Sequence, residues 1–285
     1  MTKIIKYLFQ AIFLYSFFFL GRLFGLEISR KLFSIIFSKI APFFKSKKII
    51  KNNLDIFAHT NHKINKEKII KNMWKNYGMT FIEYIFLDYF KKNNSHIVLK
   101  GEDNLIKIRQ KEKSVIFISG HFANFELMSM EITKKNIPLA TIYRPLNNIF
   151  INPFMEYLRR KYICKNQIKK GIHGVKDAIK FIKKNHSIAL MIDQRVSEGE
   201  RVNLFDKPAL TTTLPAQLSA KFNLDIVPVY IERNENNNFI IEFQKEINFK
   251  DFNNKLQLTE KLNEILEEMI KRNPNQWIWT HNRWK

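Results

Sequence analysis

The residues best suited to chemistry lie in VIFISGHFANFE, residues 115–126. An imidazole, His121, follows an apolar run and a Ser-Gly turn, and a carboxylate, Glu126, stands five positions later. An imidazole oriented by a carboxylate is a general base: it takes a proton from a hydroxyl while the carboxylate stabilises the imidazolium. The same spacing also suits a polar residue at a strand end and a carboxylate over helix amides, and by spacing alone that capping reading is the simpler one. No protein nucleophile accompanies the pair. There is no Gly-x-Ser-x-Gly elbow, and the single cysteine, Cys164, sits in KYICKNQ with no partner nearby. Any hydroxyl to be activated would then belong to a substrate. Neither a Walker loop nor Gly-x-Gly-x-x-Gly occurs, so nucleotide binding has no support. His59 and His62 of HTNH have a ligand-like spacing but no third ligand in their Asn-rich surroundings. They read as solvated loop histidines, and neither a metal nor a cofactor is expected.

A base of this kind needs a strand to carry it. Residues 115–118 read as a buried strand with Ser119-Gly120 as the turn at its carboxyl end, where open α/β sheets bind ligands. Asn124 is expected to cap the next helix, with Glu126 in its first turn, where the helix dipole favours an ionised carboxylate. Residues five apart on one helix point about 140° apart. The pair therefore meets only if His121 precedes the helix and the turn folds Glu126 back. HIVLKG, SVIFIS, PLATIYR, SIALMID, DIVPVYIER and FIIEFQKEI read as further strands. FELMSMEITKKN, PFMEYLRRKY, HGVKDAIKFIKKN, LPAQLSAKFN and LTEKLNEILEEMIKR read as helices between and after them. That alternation predicts an α/β fold, a mostly parallel central sheet sandwiched by helices, over residues 45–285.

Residues 1–44 differ in texture. YLFQAIFLYSFFFL, residues 7–20, carries no charge but falls short of the roughly 20 residues that a spanning helix needs. Extended from Ile4 to Leu26, it can cross if Lys6 and Arg22 snorkel. No small-x-small cleavage site follows, so the expectation is an uncleaved hydrophobic helical anchor, spanning or interfacial, with a buried core helix as the alternative. A second helix is expected over 23–44, ended by Pro42. Cations concentrate after the apolar run, which keeps the body on the cytoplasmic side. The chain of 285 residues carries a formal charge of +22, from 48 Lys and Arg against 26 Asp and Glu. Such an excess asks for anionic partners: nucleic acid, an anionic membrane surface or phosphorylated substrates. It is spread along the chain rather than gathered in a stripe, and no nucleic-acid motif is present, which argues against a nucleic-acid binder.

GHFANFE followed by TIYRPLNN resembles the bacterial lipid A late acyltransferases of the lauroyl and myristoyl type, which carry a His-x4-Glu signature and a Tyr-Arg-Pro one strand later. Related glycerolipid acyltransferases carry Asp in the second position. The resemblance continues through KKGIHGVKDAIKFIKKNHSIALMIDQ and LFDKPALTTTLPAQLSAKFNLDIVPVYIER to the terminal WIWTHNRWK, covering most of the chain. Departures are Asp206 and Asn185-His186, where the family favours glycine, and Asn282, where it favours a cation.

The resemblance implies a glycerolipid acyltransferase-like fold and an O-acyltransferase at the inner membrane. The donor would be an acyl carrier protein thioester, and the acceptor a hydroxyl of a phosphorylated glycolipid, a lipid A precursor of the Kdo2-lipid IVA type. His121 and Glu126 would be catalytic. Arg144 would meet a phosphate or the developing oxyanion, with a surface salt bridge as the equal alternative. Asn124, Asp193 and Gln194 would border the substrate, although capping for Asn124 and a structural turn for Asp193-Gln194 are the simpler roles. Another glycolipid acceptor, or a purely structural membrane protein, are the competing readings.

Overall fold

The computed structural model describes residues 2–61, 64–110 and 113–285, so His62 of the HTNH pair lies outside it. The apolar runs become strands. In chain order these are β1 (Ile97–Lys100), β2 (Ile116–Ser119), β3 (Leu139–Tyr143), β4 (Asn166–Lys169), β5 (Ser187–Met191), β6 (Glu200–Leu204), β7 (Lys207–Thr211), β8 (Ile226–Arg233) and β9 (Phe239–Phe243). Seven form one sheet in the order β1-β9-β8-β2-β5-β3-β4, parallel except where β9 runs against β8. All of β2 is buried, as expected of a central strand covered on both faces.

The described residues form ten α-helices around the sheet: α1 (Thr2–Ile40), α2 (Lys47–Thr60), α3 (Lys66–Glu83), α4 (Leu87–Lys92), α5 (Glu102–Gln110), α6 (Glu126–Lys134), α7 (Asn152–Leu158), α8 (Ile172–Ile182), α9 (Leu214–Phe222) and α10 (Lys255–Arg272). The pleat sorts the core into two layers. Ile116 and Ile118 of β2 join a cluster with Ile182 of α8, Leu218 of α9 and Leu262 of α10. Phe117, pointing the other way, joins Phe90 of α4, Leu127 of α6 and Leu158 of α7. This is the α/β sandwich that the alternation of strands and helices predicts.

Three strands were not anticipated. β4, NQIK, is too polar to show as an apolar run. β6 and β7 form a separate antiparallel hairpin whose two-residue turn, Phe205-Asp206, has positive φ at both positions. A turn of that kind favours Gly, Asn or Asp, which accounts for aspartate standing where glycine is usual. Asn185 likewise has φ 56°, a left-handed position just beyond α8 that asparagine tolerates.

The two N-terminal helices expected from sequence exist as the arms of α1, joined at Gly25 with φ 74° and ψ 172°. Glycine reaches that conformation without steric cost. Ser29 Oγ donates to the Gly21 carbonyl at 2.7 Å across the bend, and the rings of Phe17 and Phe33 meet at 5.5 Å. On a straight helix those two residues would be about 24 Å apart. The first arm lies along the body: Tyr7 accepts from Asn148, Tyr15 donates to the Phe150 carbonyl, and Arg22 pairs with Asp88. Its other face leaves Phe9, Phe13, Phe19 and Leu23 exposed.

The second arm is fixed by charge. Glu83, wholly buried, takes Arg30 at 2.7 Å and Arg233 at 2.5 and 3.0 Å, while Asn124 donates to its second oxygen at 2.9 Å. Burial by itself would raise the Glu83 pKa, but the charges and hydrogen bonds of Arg233 and Arg30 reverse this and hold it below the usual carboxylate range. Glu83→Leu would leave two guanidinium groups buried without their carboxylate. It is expected to cost about 3 kcal/mol in urea unfolding, the scale for breaking a buried pair. A loss under about 1 kcal/mol would remove Glu83 as the link between α1 and the sheet. Because the folded pKa is the lower one, this stabilisation is complete above the ordinary carboxylate range and is lost as pH falls through the folded value.

Candidate active site

The site forms where β2 and β5 end side by side. In their parallel register Ser119 lies opposite Met191, and the Ile192 amide donates to the Ser119 carbonyl at 2.9 Å. Two residues further on, the same register sets His121 against Asp193. A Cβ on Gly120 would come within 2.7 Å of the buried Phe122 ring, so a side chain here would have to displace that ring. The turn is then clamped from the C-terminal segment: Phe122 bridges Trp277, and the Ala123 amide donates to the Gln276 carbonyl.

His121 Nδ1 stands 2.8 Å from Asp193 Oδ1, and the His121 amide donates to Oδ2 at 2.8 Å. Trp277 Nε1 donates to the same Oδ2 at 2.9 Å. Asp193 is 1% exposed. Burial would raise its pKa, but the charge of His121 and the hydrogen bonds from its ring and backbone overcome that and hold Asp193 well below the usual carboxylate range. An ionised carboxylate only accepts, so Nδ1 carries a proton in either charge state, and in the neutral form of the ring the lone pair lies on Nε2. The His121 side chain keeps 16% of its surface exposed.

The expected His121–Glu126 contact is not made. Ala123 adopts φ 43°, and the chain leaves the turn with Glu126 as the first residue of α6, facing the 3-10 turn Tyr84–Phe86 and the π-helical turn Arg159–Ile163. There its carboxylate accepts from Tyr84 at 2.5 Å and pairs with Arg159 at 2.7 Å. Burial would lower the Arg159 pKa, but Glu126 and Tyr84 raise it overall; burial and Glu126 together raise that of Tyr84. Arg159 Nη1 is buried with no hydrogen-bond partner among the described residues.

The other expected residues divide. Asn124 does not cap α6: the cap position is Phe125, without a side-chain bond, and Asn124 is 1% exposed with its amide on Glu83. Asp193 is too deeply buried to meet a substrate and serves the imidazole instead. Gln194 does reach the site, with its amide nitrogen 3.2 Å from His121 Nε2. Arg144, one residue past β3, is exposed and has no hydrogen-bond or ion-pair partner among the described residues, so it is not tied into a surface salt bridge. Its charge reaches both His281 and Lys170. Sequence reasoning missed Tyr84, Arg159, Trp277 and His281. Only the aromatic density of WIWTH hinted at the last two.

Comparison with known proteins bears on the whole chain. The family model described as bacterial lipid A biosynthesis acyltransferase matches residues 2–285. A lipid A biosynthesis palmitoleoyltransferase of Escherichia coli is 24% identical over 256 residues, covering 86% of this chain and 80% of that protein. A lipid A biosynthesis acyltransferase of Haemophilus influenzae is 21% identical over 260 residues, with 89% and 82% coverage. Among solved structures, a 1-acyl-sn-glycerophosphate acyltransferase of Thermotoga maritima aligns with a TM-score of 0.42 at 12% identity, over 89% of this chain and 100% of that one.

Proposed function

The chain belongs to the bacterial lipid A biosynthesis acyltransferase family, and on that premise we propose that it moves a fatty acyl chain from an acyl carrier protein thioester to a hydroxyl of a phosphorylated lipid A precursor, of the Kdo2-lipid IVA type. The observation that supports this most directly is the Asp193–His121 pair at the end of β2, with Nε2 turned away from Asp193 toward the Gln194 amide. In the reaction His121 Nε2 takes the proton of the acceptor hydroxyl as its oxygen bonds to the thioester carbonyl carbon. Asp193 steadies the imidazolium that results. The tetrahedral oxyanion collapses, the C–S bond breaks, and the departing thiolate takes the proton from Nε2. The products are an ester and a free thiol, and no acyl-enzyme forms, in keeping with the missing serine elbow.

Glu126 belongs to this site as a positioning group. Its ion pair with Arg159 ties the start of α6 to the π-helical turn and so holds the turn that carries His121. Arg144, exposed and unpaired, is suited to an acceptor phosphate. Arg144→Ala should raise the acceptor KM and leave the melting temperature unchanged, and an unmoved KM would withdraw that role. Mass spectrometry of lipid A from cells with and without the protein tests the function itself. One acyl chain should be missing without it, whereas identical lipid A from both would refute the reading.

α1 supplies the place of action. Its first arm is bonded to the body from Tyr7 to Arg22, so it lies beside the domain rather than projecting from it, and its free face is apolar. This favours an interfacial anchor on the cytoplasmic face of the inner membrane. Deleting residues 1–22 would also strip Tyr15 and Phe18 from the body, so substitution is the cleaner test. The double variant Phe9→Asp, Phe19→Asp is expected to shift protein from the membrane to the soluble fraction with folding preserved. Unchanged partitioning would send the search for the anchor elsewhere.

A further inference from the structure

The Gln194 amide nitrogen stands 3.2 Å from His121 Nε2 and 3.1 Å from His281 Nε2, and the two rings lie 6.0 Å apart between centroids. Since Asp193 fixes the proton of His121 on Nδ1, Nε2 of that ring can only accept in the neutral form that acts as the base. The amide then spends one N–H on His121 and has one left for His281, which must accept too. His281 is therefore neutral, with its proton on Nδ1. Its surroundings agree: burial, opposed by the charge of Asp193, pushes its pKa down to about 4. The backbone of His281 is itself anchored, its carbonyl accepting from buried Asn53 at 2.6 Å.

We propose that His281 is a positioning residue that, through Gln194, sets the place and direction of the acceptor hydroxyl at His121 Nε2. The inference rests on the acyl-transfer reading. In the resting site the amide occupies the spot where the hydroxyl must come. When the hydroxyl enters, the amide pivots on its bond to His281 and its freed N–H donates to the hydroxyl oxygen. The O–H is then left to point at Nε2. Without His281 the amide has no pivot and the hydroxyl loses its guide. An anchor 87 residues from Gln194 in sequence thus aims the substrate at the base.

The experiment has a spectroscopic and a kinetic arm, both on full-length protein. Nitrogen-15 NMR of the histidine rings should show both His121 and His281 as Nδ1–H tautomers in the wild type. In Gln194→Ala, His121 should stay Nδ1–H, held by Asp193, while His281 reverts to mostly Nε2–H. Kinetically, His281→Leu should lower kcat/KM for the glycolipid acceptor about ten-fold, the upper end for one hydrogen bond. The thioester KM should not move, and His281→Gln, which keeps an acceptor at similar reach, should restore most of the loss. His281 found as Nε2–H in the wild type, or an unaltered kcat/KM in His281→Leu, would overturn the proposal. Wild-type protein that transferred no acyl chain would instead overturn the functional reading, since the tautomers are read without turnover.

Discussion

His121→Ala protein is expected to fold normally and to turn over about 10²–10⁴-fold more slowly, the range for a general base. Because the ring is the proton carrier for both the attacking hydroxyl and the leaving thiolate, the loss should fall on kcat rather than on glycolipid binding. The side chain is bonded through Nδ1 to Asp193 and leans on Phe125 at 4.5 Å between ring centroids, and the turn around it is held by backbone contacts to Gln276 and Trp277. Truncation therefore leaves the fold in place. A melting temperature within a few degrees of wild type is the control. Near-normal acyl transfer by folded His121→Ala would end the mechanism.

Asp193→Asn should be nearly as severe, with a loss of about 10³–10⁴-fold, for a different reason. The backbone amide of His121 and Trp277 Nε1 both donate to Oδ2, so an asparagine keeps its oxygen there and turns its NH2 toward His121 Nδ1. An NH2 group cannot accept, so Nδ1 must become the lone-pair nitrogen and the proton moves to Nε2. A base protonated on its working face is the wrong tautomer. The same NMR measurement would show it directly. The double variant with His121→Ala should be no slower than His121→Ala alone, because residues acting as a unit fail together. Glu126→Gln provides the contrast: it weakens the bond to buried Arg159, so melting temperature and activity should drop together. Additive losses for His121 and Asp193, or normal kcat in Asp193→Asn, would return Asp193 to a purely structural place.

Much of this was legible in the residues. Four apolar residues before Ser-Gly mark a central strand with the candidate site at its carboxyl end, because a strand buried on both faces leaves only its ends open. The position of His121 there and the α/β class follow from local patterning, and the apolar character of the first arm of α1 from its uncharged run. β4 escaped because NQIK pairs through its backbone and shows no apolar signature, and the β6–β7 hairpin because its turn uses Phe-Asp in place of glycine.

The partner of the base was beyond local reading. Glu126 is five residues from His121 and Asp193 is 72 away, so sequence proximity pointed to the wrong carboxylate. Each carboxylate goes where the backbone sends it. The positive φ of Ala123 and the start of α6 turn Glu126 toward Tyr84 and Arg159. The parallel pairing of β2 with β5, one strand arriving after three crossovers, brings Asp193 level with His121. The bend at Gly25 and the meeting of Gln194 with His281 have the same origin. A strand end and its imidazole are set by the residues on either side, whereas a register between strands depends on how distant parts of the chain pack, and only the folded sheet decides it.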